Sequence, residues 1–168
     1  MSTEQHFTHF TEDGRPVMVN VTGKDTTKRT AIAETTVKMK ATTRESIVQQ
    51  AIKKGDVLAV AQLAGIMAAK KTSELIPLCH HVPLHHVSLT LTFQSQEEGS
   101  DISRLHIECH VETSYQTGVE MEALTACSVA ALTVYDMCKA IDRGMEITDT
   151  RLVYKAGGKS GVFQAIST

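Results

Sequence analysis

Five side chains that can bind a metal ion or move a proton lie close together in LIPLCHHVPLHHV, residues 75–87. They are Cys79, His80, His81, His85 and His86. Zinc takes three or four such nitrogen and sulfur ligands in a tetrahedral array. Adjacent residues of an extended chain point in opposite directions, however, so neither pair of neighbouring histidines can easily share one ion. The spacing therefore disfavours a metal site and leaves two other hypotheses open, a catalytic histidine or a strand rich in imidazole.

A second candidate, AGGKSG at residues 156–161, looks like the end of a phosphate-binding P-loop. A P-loop requires a glycine five residues before Gly158, where this chain has Val153, and a helix that follows the lysine. Too few residues follow for that helix. We therefore predict a mobile glycine-rich tail, in which Lys155 and Lys159 could close over an anionic ligand as a flap.

Charged side chains mark both ends of a segment rich in small residues, GVEMEALTACSVAALTVYDMCKAID. Glu120 and Glu122 fall in the first turn of a predicted helix, where carboxylates meet the helix dipole favourably. Asp136, Lys139 and Arg143 share one stripe further along, which is also typical of an ordinary surface ion-pair ladder. Glu122 and Asp136 lie on nearly the same face, about 21 Å apart along the axis. If both act on one ligand, either the ligand is long or two chains contribute.

The segments before these residues are predicted to form first a strand and then two helices. Apolar and polar residues alternate over 29–40, which predicts a strand. Thr42 and Glu45 form a capping box that predicts the start of a helix with four buried apolar side chains. These four are Ile47, Val48, Ala51 and Ile52. Asp56 predicts the cap of a second helix over 57–75, whose alanines and single glycine allow another element to approach closely.

Strand patterns return after the histidines. Residues 86–93 and 103–113 alternate apolar and polar side chains around a polar segment, so we predict an antiparallel hairpin. The long helix over 118–142 and a last strand over 146–156 follow. This order predicts an α+β fold, a ferredoxin-like sandwich whose antiparallel sheet is covered by helices on one face, with one extra helix. The opposite face of the sheet should be partly polar or buried against another subunit.

Length and composition predict one globular domain. The 168 residues are 42% hydrophobic and 21% charged, with a net charge of −2, and no segment is apolar enough to cross a bilayer. We divide the chain into a flexible N-terminal segment, 1–15, and a single domain, 16–168. The first residues lack the pattern of a signal or transit peptide and no two cysteines form a C-x-x-C pair, so we expect free thiols in a cytoplasmic protein. Near-neutral charge and few aromatic residues argue against nucleic-acid binding.

Three strings, LIPLCHHVPL, GVEMEALTACSVAALTVYDMCKAID and LVYKAGGKSG, together resemble the cyclic pyranopterin monophosphate synthase family, the C proteins of molybdenum cofactor biosynthesis. The resemblance extends through residues 53–76 and covers nearly the whole chain after the first fifteen residues. It implies a ferredoxin-like subunit that assembles as a hexamer, a trimer of dimers, with active sites at subunit interfaces. It also implies a lyase reaction, in which a cyclic dihydro-GTP intermediate becomes a tricyclic pyranopterin bearing a cyclic phosphate, with release of pyrophosphate.

The same resemblance implies roles residue by residue. Asp136 would be the acid/base with Lys139 as its partner, and Lys54 and His80 would be catalytic or phosphate-contacting groups. The implied substrate-binding residues are Leu78, Cys79, His80, Glu120, Met121 and Glu122, with Lys24, Arg29, Lys155 and Lys159 expected to neutralise the triphosphate. A carboxylate such as Glu122 can accept two hydrogen bonds from the guanine-like N–H edge. Among the other histidines, His81, His85 and His86 inherit no role, and His6 and His9 lie outside the resemblance.

The resemblance implies neither a metal site nor a cofactor held by the protein, and the sequence leaves open whether Mg²⁺ accompanies the triphosphate. The expected partners are the small-molecule substrate and further copies of the chain, without nucleic acid or membrane. Two alternatives remain on the residues alone. One is a metal-binding hydrolytic protein that uses the histidine cluster, and the other is a nucleotide-sensing module that binds without catalysis.

Overall fold

The computed structural model describes residues 9–11, 13–95 and 99–166. Its elements are β1 (Thr27–Lys40), α1 (Ala41–Val48), α2 (Val57–Lys70), α3 (Thr72–Leu75), β2 (His86–Phe93), β3 (Ile102–Tyr115), α4 (Glu120–Cys138), β4 (Glu146–Ala156) and β5 (Phe163–Gln164). The five strands form one antiparallel sheet in the order β2-β3-β1-β4-β5. The predicted α+β, ferredoxin-like sandwich is confirmed. No helix of the described residues is long and apolar enough to cross a membrane.

Helix α4 and one face of the sheet form the hydrophobic core. Alternate residues of β1 and β3 point toward α4, and Val37 and Leu105 have no exposed surface. Helix α4 contacts β1, β3 and β4, while α2 packs on α4 and β2. This close approach of α2 requires Gly65, because a Cβ there would lie 2.4 Å from Leu89 Cδ2 and 3.0 Å from Ala126 O. The predicted close packing on this helix is therefore confirmed.

The opposite face of the sheet carries polar side chains, as the alternation predicts. Arg151 Nε donates to Glu34 Oε1 at 2.7 Å, and His106 Nε2 lies 3.4 Å from Glu34 Oε2. Further along the face, Lys28 Nζ lies 3.3 Å from Glu112 Oε2. Paired charges therefore occupy this face, and its burial against another subunit stays a prediction.

The capping-box prediction for α1 is wrong. The helix begins at Ala41 with Lys40 as its N-cap residue, so Thr42 already lies inside it, and the Lys40 side chain makes no capping hydrogen bond. Asp142 supports this helix start instead, since its Oδ2 accepts hydrogen bonds from Lys40 N at 2.9 Å and Thr43 Oγ1 at 3.0 Å. The two donors are 102 and 99 residues away from Asp142 in the sequence. A local pattern cannot reveal such a contact.

Helix α1 also ends earlier than its apolar residues predict. It stops at Val48, which is 63% exposed, and Gln50 turns the chain away with a positive φ of 52°. Of the four predicted core residues, Ile47 is buried and Ile52 partly buried, while Val48 and Ala51 are exposed. The apolar spacing thus continued past the residue at which the backbone leaves the helix.

The predicted start of α2 is confirmed, because Asp56 Oδ1 accepts a hydrogen bond from Ala59 N at 3.0 Å. The helical run is interrupted at Lys71, however, so the last predicted turn is the separate short helix α3. At the C-terminal end of the described chain, β5 pairs antiparallel with β4. The sequence pattern does not predict β5, and the glycine-rich segment forms the turn of this hairpin.

A small hairpin lies at the start of the described chain and joins His9 to Val17, whose N–H donates to His9 O at 2.8 Å. The first eight residues, His6 among them, lie outside the described residues. The division into a flexible segment 1–15 and a domain 16–168 therefore stays a prediction. Part of the predicted turn between β2 and β3, residues 96–98, also lies outside the described chain.

Candidate active site

A cavity of about 290 Å³, here called the inner cavity, opens at the N-terminal end of α4. The loop between α3 and β2 forms one wall, and the first turn of α4 forms another. Seven of the predicted site residues line it, namely Lys24, Leu78, Cys79, His80, Glu120, Met121 and Glu122. The fold therefore brings three segments that are far apart in the sequence to one concave surface.

Glu122 supplies the buried carboxyl group of the inner cavity, with only 4% of the residue exposed. Burial raises the pKa of Glu122 to about 7, the charge of Glu120 acts in the same direction, and a backbone hydrogen bond opposes the shift. Burial and, to a smaller degree, the Glu122 charge also raise the pKa of the Cys79 thiol. Near neutral pH, both the carboxylic acid and the carboxylate form of Glu122 are therefore populated. A small change in its surroundings decides which form predominates, and so whether Glu122 donates or only accepts hydrogen bonds.

His80 is held in the inner cavity by the chain that precedes β1. Its Nε2 lies 2.6 Å from the backbone oxygen of Val19. Because a carbonyl oxygen can only accept, Nε2 carries the hydrogen, and the Nδ1 of a neutral His80 keeps its lone pair. His80 can therefore accept a proton or a hydrogen bond through Nδ1 while Nε2 stays occupied.

The other histidines of residues 75–87 do not lie beside His80. Their ring nitrogens have separate partners, which are Ser73 for His81, Ser114 for His85 and Ser88 for His86. His86 is an exposed residue of β2, as predicted. Within the described part of the chain, no three His, Cys, Asp or Glu side chains are placed to hold one metal ion. The density of imidazoles in the sequence thus does not produce one site.

A second cavity, of about 520 Å³, adjoins the inner cavity, and Lys24 and Glu120 line both. We call it the basic cavity, because Lys24, Arg29 and Lys159 line it. Asp25 and Glu120 are its two carboxylates, so the three cations leave one net positive charge. The pair of cavities therefore offers a buried carboxyl at one end and an excess of positive charge at the other.

Arg29 is fixed against the loop that precedes α4. Its Nε donates to Tyr115 O and its Nη2 to Gln116 O, both at 3.3 Å. Two of the three glycines of AGGKSG permit this arrangement, since Gly157 and Gly158 have φ of 106° and 73°, and a Cβ on Gly158 would lie 1.8 Å from Arg29 Nη1. The glycines thus allow a hairpin turn to approach the guanidinium group closely, which agrees with the rejection of a P-loop.

Lys155 differs from the other predicted phosphate contacts, because it lines neither of the two cavities. It lies in β4, and its Nζ donates to Ser160 Oγ in the same hairpin. Lys159, at the turn, lines the basic cavity. The structure therefore separates two lysines to which the resemblance gave one role.

The predicted catalytic pair lies at the other end of α4, together with Lys54. Lys139 Nζ lies 2.6 Å from Asp136 Oδ1, and Lys54 Nζ lies 3.1 Å from Asp136 Oδ2. Lys54 Nζ also donates to Asp136 O at 2.9 Å. We call these three residues the lysine–aspartate cluster. Sequence positions 54 and 136 meet because the turn before α2 packs beside the last turns of α4.

The residues of the lysine–aspartate cluster stabilise one another's ionised forms. Hydrogen bonds from Lys139 and then Lys54 lower the pKa of Asp136, and Asp136 in turn raises the pKa of Lys139. Asp136 is therefore a carboxylate and Lys139 an ammonium group at neutral pH. The protons that this cluster can donate belong to its lysines, while its carboxylate can accept one.

The two ends of α4 do not meet within one copy of the described chain. Neither cavity is lined by Lys54, Asp136 or Lys139. The helix is continuous from Glu120 to Cys138, so the helical rise still separates Glu122 from Asp136 by about 21 Å along the axis. The structure thus divides the predicted site residues into two groups.

Several cavity residues were missed by the sequence analysis. Among them are His9, Val19, Val21, Asp25, Thr27, Gln116, Thr117 and Ser160. The position of Thr117, directly before the string GVEMEALTA, was a usable signal. His9 and Val19 carried no such signal, because only the folding of the N-terminal chain brings them to the inner cavity.

Residues 18–158 match a known protein family, described as the MoaC family. The chain belongs to the MoaC family. Three relatives, each named cyclic pyranopterin monophosphate synthase, come from Geobacillus sp., Dinoroseobacter shibae and Syntrophomonas wolfei. Their identities to this chain are 55% over 158 residues, 55% over 158 and 56% over 156. The alignments cover 94%, 94% and 93% of this chain and 91%, 97% and 96% of these MoaC relatives, respectively.

Membership of the MoaC family confirms the resemblance and favours neither the metal-dependent hydrolase nor the nucleotide sensor. The family match begins at residue 18 and so excludes the N-terminal hairpin. It includes the walls of the inner cavity from Val19 onward, those of the basic cavity except Lys159 and Ser160, and the whole lysine–aspartate cluster.

Proposed function

We propose that this chain catalyses the reaction for which its relatives are named, the formation of cyclic pyranopterin monophosphate in molybdenum cofactor biosynthesis. The substrate is cyclic dihydro-GTP, and pyrophosphate is released, so the enzyme is a phosphorus–oxygen lyase. The observation that carries the proposal is identity above 50% over almost the full length of synthases with this name. The two adjoining cavities at α4 supply matching chemistry, a buried carboxyl beside a positively charged region.

The inner cavity would hold the guanine-derived end of the substrate. As a carboxylate, Glu122 accepts two hydrogen bonds from the paired N–H groups of that edge, and these bonds favour its ionised form. Met121 and Leu78 supply apolar surface for the ring faces. His80 presents Nδ1 as an acceptor, since Nε2 is bound to Val19 O. The burial that raises the pKa of Glu122 thus also makes its pairing with the substrate selective.

The basic cavity would hold the triphosphate. Lys24, Arg29 and Lys159 neutralise the phosphate charges and stabilise the pyrophosphate that leaves. Because the two cavities share Lys24 and Glu120, one substrate molecule can extend from one cavity into the other. The cyclic phosphate forms when a substrate hydroxyl attacks the innermost phosphorus and the bond from that phosphorus to the pyrophosphate oxygen breaks.

The ring rearrangement and the phosphate closure both require proton transfers, which the lysine–aspartate cluster would supply. Asp136 takes up a proton as a carboxylate, and Lys139 or Lys54 returns one as an ammonium ion. The hydroxyl that attacks phosphorus must lose its proton to such a base. The substrate phosphates can compete with Asp136 for the lysines, which would raise the basicity of the freed carboxylate.

One copy of the chain keeps this cluster away from the cavities, so we propose that each active site uses the cavities of one subunit and the cluster of another. The assembly would be a hexamer, a trimer of dimers. An apolar stripe on α2 supports contact between copies, because Val60, Leu63 and Met67 are all exposed and lie three and four residues apart.

The proposal includes no cofactor held by the protein, and any Mg²⁺ would arrive with the triphosphate. We place the reaction in the cytoplasm. All four cysteines lie in the described chain and are unpaired, which agrees with a reducing compartment.

The test is to incubate the purified protein with cyclic dihydro-GTP and to follow the pterin product by chromatography and pyrophosphate by a coupled assay. We expect one pyrophosphate per cyclic product, before and after removal of transition metals by a chelator. Release of single phosphates, or loss of activity that zinc alone restores, would contradict the lyase and favour the hydrolytic alternative. Binding without any product would favour the sensor.

A further inference from the structure

We propose that His9, at the base of the N-terminal hairpin that joins it to Val17, is a substrate-contacting residue of the active site. This inference rests on the proposed function and extends it to a part of the chain before residue 18, where the family match begins. The imidazole would contact the guanine-derived end of the substrate, because His9 lines the same cavity as His80 and Glu122.

The hairpin has a defined turn that positions His9. Thr11 N donates to Arg15 O, and Gly14 N donates to Thr11 O, both at 2.9 Å. Gly14 has a positive φ of 79°, a conformation that tight turns often require and that glycine adopts without steric cost. An ion pair of 2.7 Å between Arg15 and Asp13 lies on the exposed tip.

Two hydrogen bonds hold the chain near the base of the hairpin, one within the hairpin and one to a residue of the inner cavity. Val17 N donates to His9 O at 2.8 Å, which fixes the backbone of His9 relative to the following strand of chain. Two residues later, Val19 O accepts a hydrogen bond from His80 Nε2 at 2.6 Å. The chain that carries His9 is therefore connected through Val19 to His80, which also lines the inner cavity.

The chemistry of the inner cavity leaves a role for a further imidazole. Glu122 serves the N–H edge as an acceptor, and the Nε2 of His80 is already engaged by Val19. A purine-derived ring also presents carbonyl oxygen and ring nitrogen atoms, and a neutral imidazole can donate to one of these from one ring nitrogen while it accepts at the other. His9 is exposed and lines the cavity, so it can reach the ligand without displacing a buried partner.

The experiment compares His9→Ala with wild type in steady-state turnover of cyclic dihydro-GTP by the full chain. Loss of one hydrogen bond to the bound substrate predicts a rise in KM of about three- to tenfold, with kcat within about twofold of wild type. His9→Gln keeps a side chain that donates and accepts, so it should recover part of the lost affinity. A purely structural role for His9 would not produce this rescue by Gln.

Arg15→Ala is the matched control, because it alters the exposed tip of the same hairpin and leaves His9 in place. It should keep the wild-type KM, and thermal melting should show that all three variants are folded. A wild-type KM for His9→Ala, or equal loss in the control, would overturn the inference. An inactive wild-type enzyme would instead refute the proposed function, so the two failures can be told apart.

Discussion

The two ends of α4 each present a carboxyl group, and the protein treats them in opposite ways. Glu122, at the N-terminal end, is 4% exposed, and burial raises its pKa to about 7. Asp136, near the C-terminal end, has a side chain that is 58% exposed, and Lys139 and Lys54 lower its pKa. The helix itself is the same regular element at both positions. The neighbours supplied by other parts of the chain therefore decide the acidity of each group.

This contrast indicates a division of labour. A buried carboxyl with few partners is suited to recognise a ligand that brings its own hydrogen-bond donors. An exposed carboxylate between two ammonium groups is suited to exchange protons with a substrate that enters among them. The distance between the groups means that the contrast can be tested at each end separately.

The largest effect is expected from Asp136→Asn. Loss of the proton acceptor should lower kcat by about two to four orders of magnitude, with substrate binding and folding retained. Turnover by chromatography, together with binding by calorimetry, checks this expectation. Asp149→Asn, a change at an exposed position of β4, is the control and should be fully active. Full turnover by the Asp136 variant would remove it from the mechanism.

Mixing inactive subunits tests whether the two ends of α4 serve one site across an interface. Asp136→Ala and Glu122→Ala subunits, combined after reversible dissociation, should regain roughly a quarter of wild-type activity, because half of the random dimers are mixed and each has one intact site of two. Mixtures of either variant with itself should stay inactive. Verified mixed oligomers without recovered activity would count against shared sites.

The raised pKa of Glu122 predicts a stability that depends on pH. The unfolded carboxyl loses its proton near 4.5 and the folded one only near 7, so the wild type loses stability as pH rises between these values. Glu122→Gln cannot ionise and should therefore gain, relative to wild type, roughly 1 to 3 kcal/mol between pH 5 and pH 8. The groups that share its cavity and must be included in any fit are His9, Lys24, Cys79, His80 and Glu120.

Urea unfolding of both proteins at the two pH values provides the measurement for Glu122. Comparing the variant with wild type at both pH values cancels any effect of the amide on packing that does not depend on pH. An equal difference in free energy of unfolding at pH 5 and pH 8 would mean that Glu122 is not the group that burial affects. Substrate affinity should change in the opposite sense and weaken below pH 7, since a protonated Glu122 accepts fewer hydrogen bonds.

The smallest effects are expected among the lysines of the C-terminal hairpin. Lys159→Ala should raise KM about three- to tenfold, because it removes a cation from the basic cavity. Lys155→Ala, its matched partner in the same hairpin, should change KM less than about twofold, since Lys155 bonds to Ser160 outside the cavity. Steady-state kinetics at constant ionic strength distinguish the two. A larger effect at Lys155 would show that the hairpin rearranges around the substrate.

Local sequence patterns predicted the secondary structure correctly wherever its physical cause lies in neighbouring residues. The alternation in β2 and β3, the cap supplied by Asp56 and the 146–156 strand were all predicted and confirmed. The capping box was wrong because Asp142, a residue distant in sequence, supports the start of α1. Strand β5 was missed because two residues carry too little pattern to be recognised.

In the candidate site, too, local motifs predicted some features and tertiary contacts decided the others. The resemblance named Glu122, His80 and Asp136 from their motifs, and the MoaC match supports the motifs themselves. It did not indicate that Lys155 lies outside the cavities, nor that His9 lies within one. Both facts depend on where the two hairpins lie in the tertiary structure, which no short string encodes.

The sequence by itself determined the fold class, the family and the set of residues that can do chemistry, because periodicity and motifs are properties of neighbouring residues. The tertiary structure alone decided which of those residues share a cavity, which carboxyl is buried and which is paired with lysines. Burial and pairing arise from contacts between distant segments, and they set the pKa values that separate recognition at Glu122 from proton transfer at Asp136.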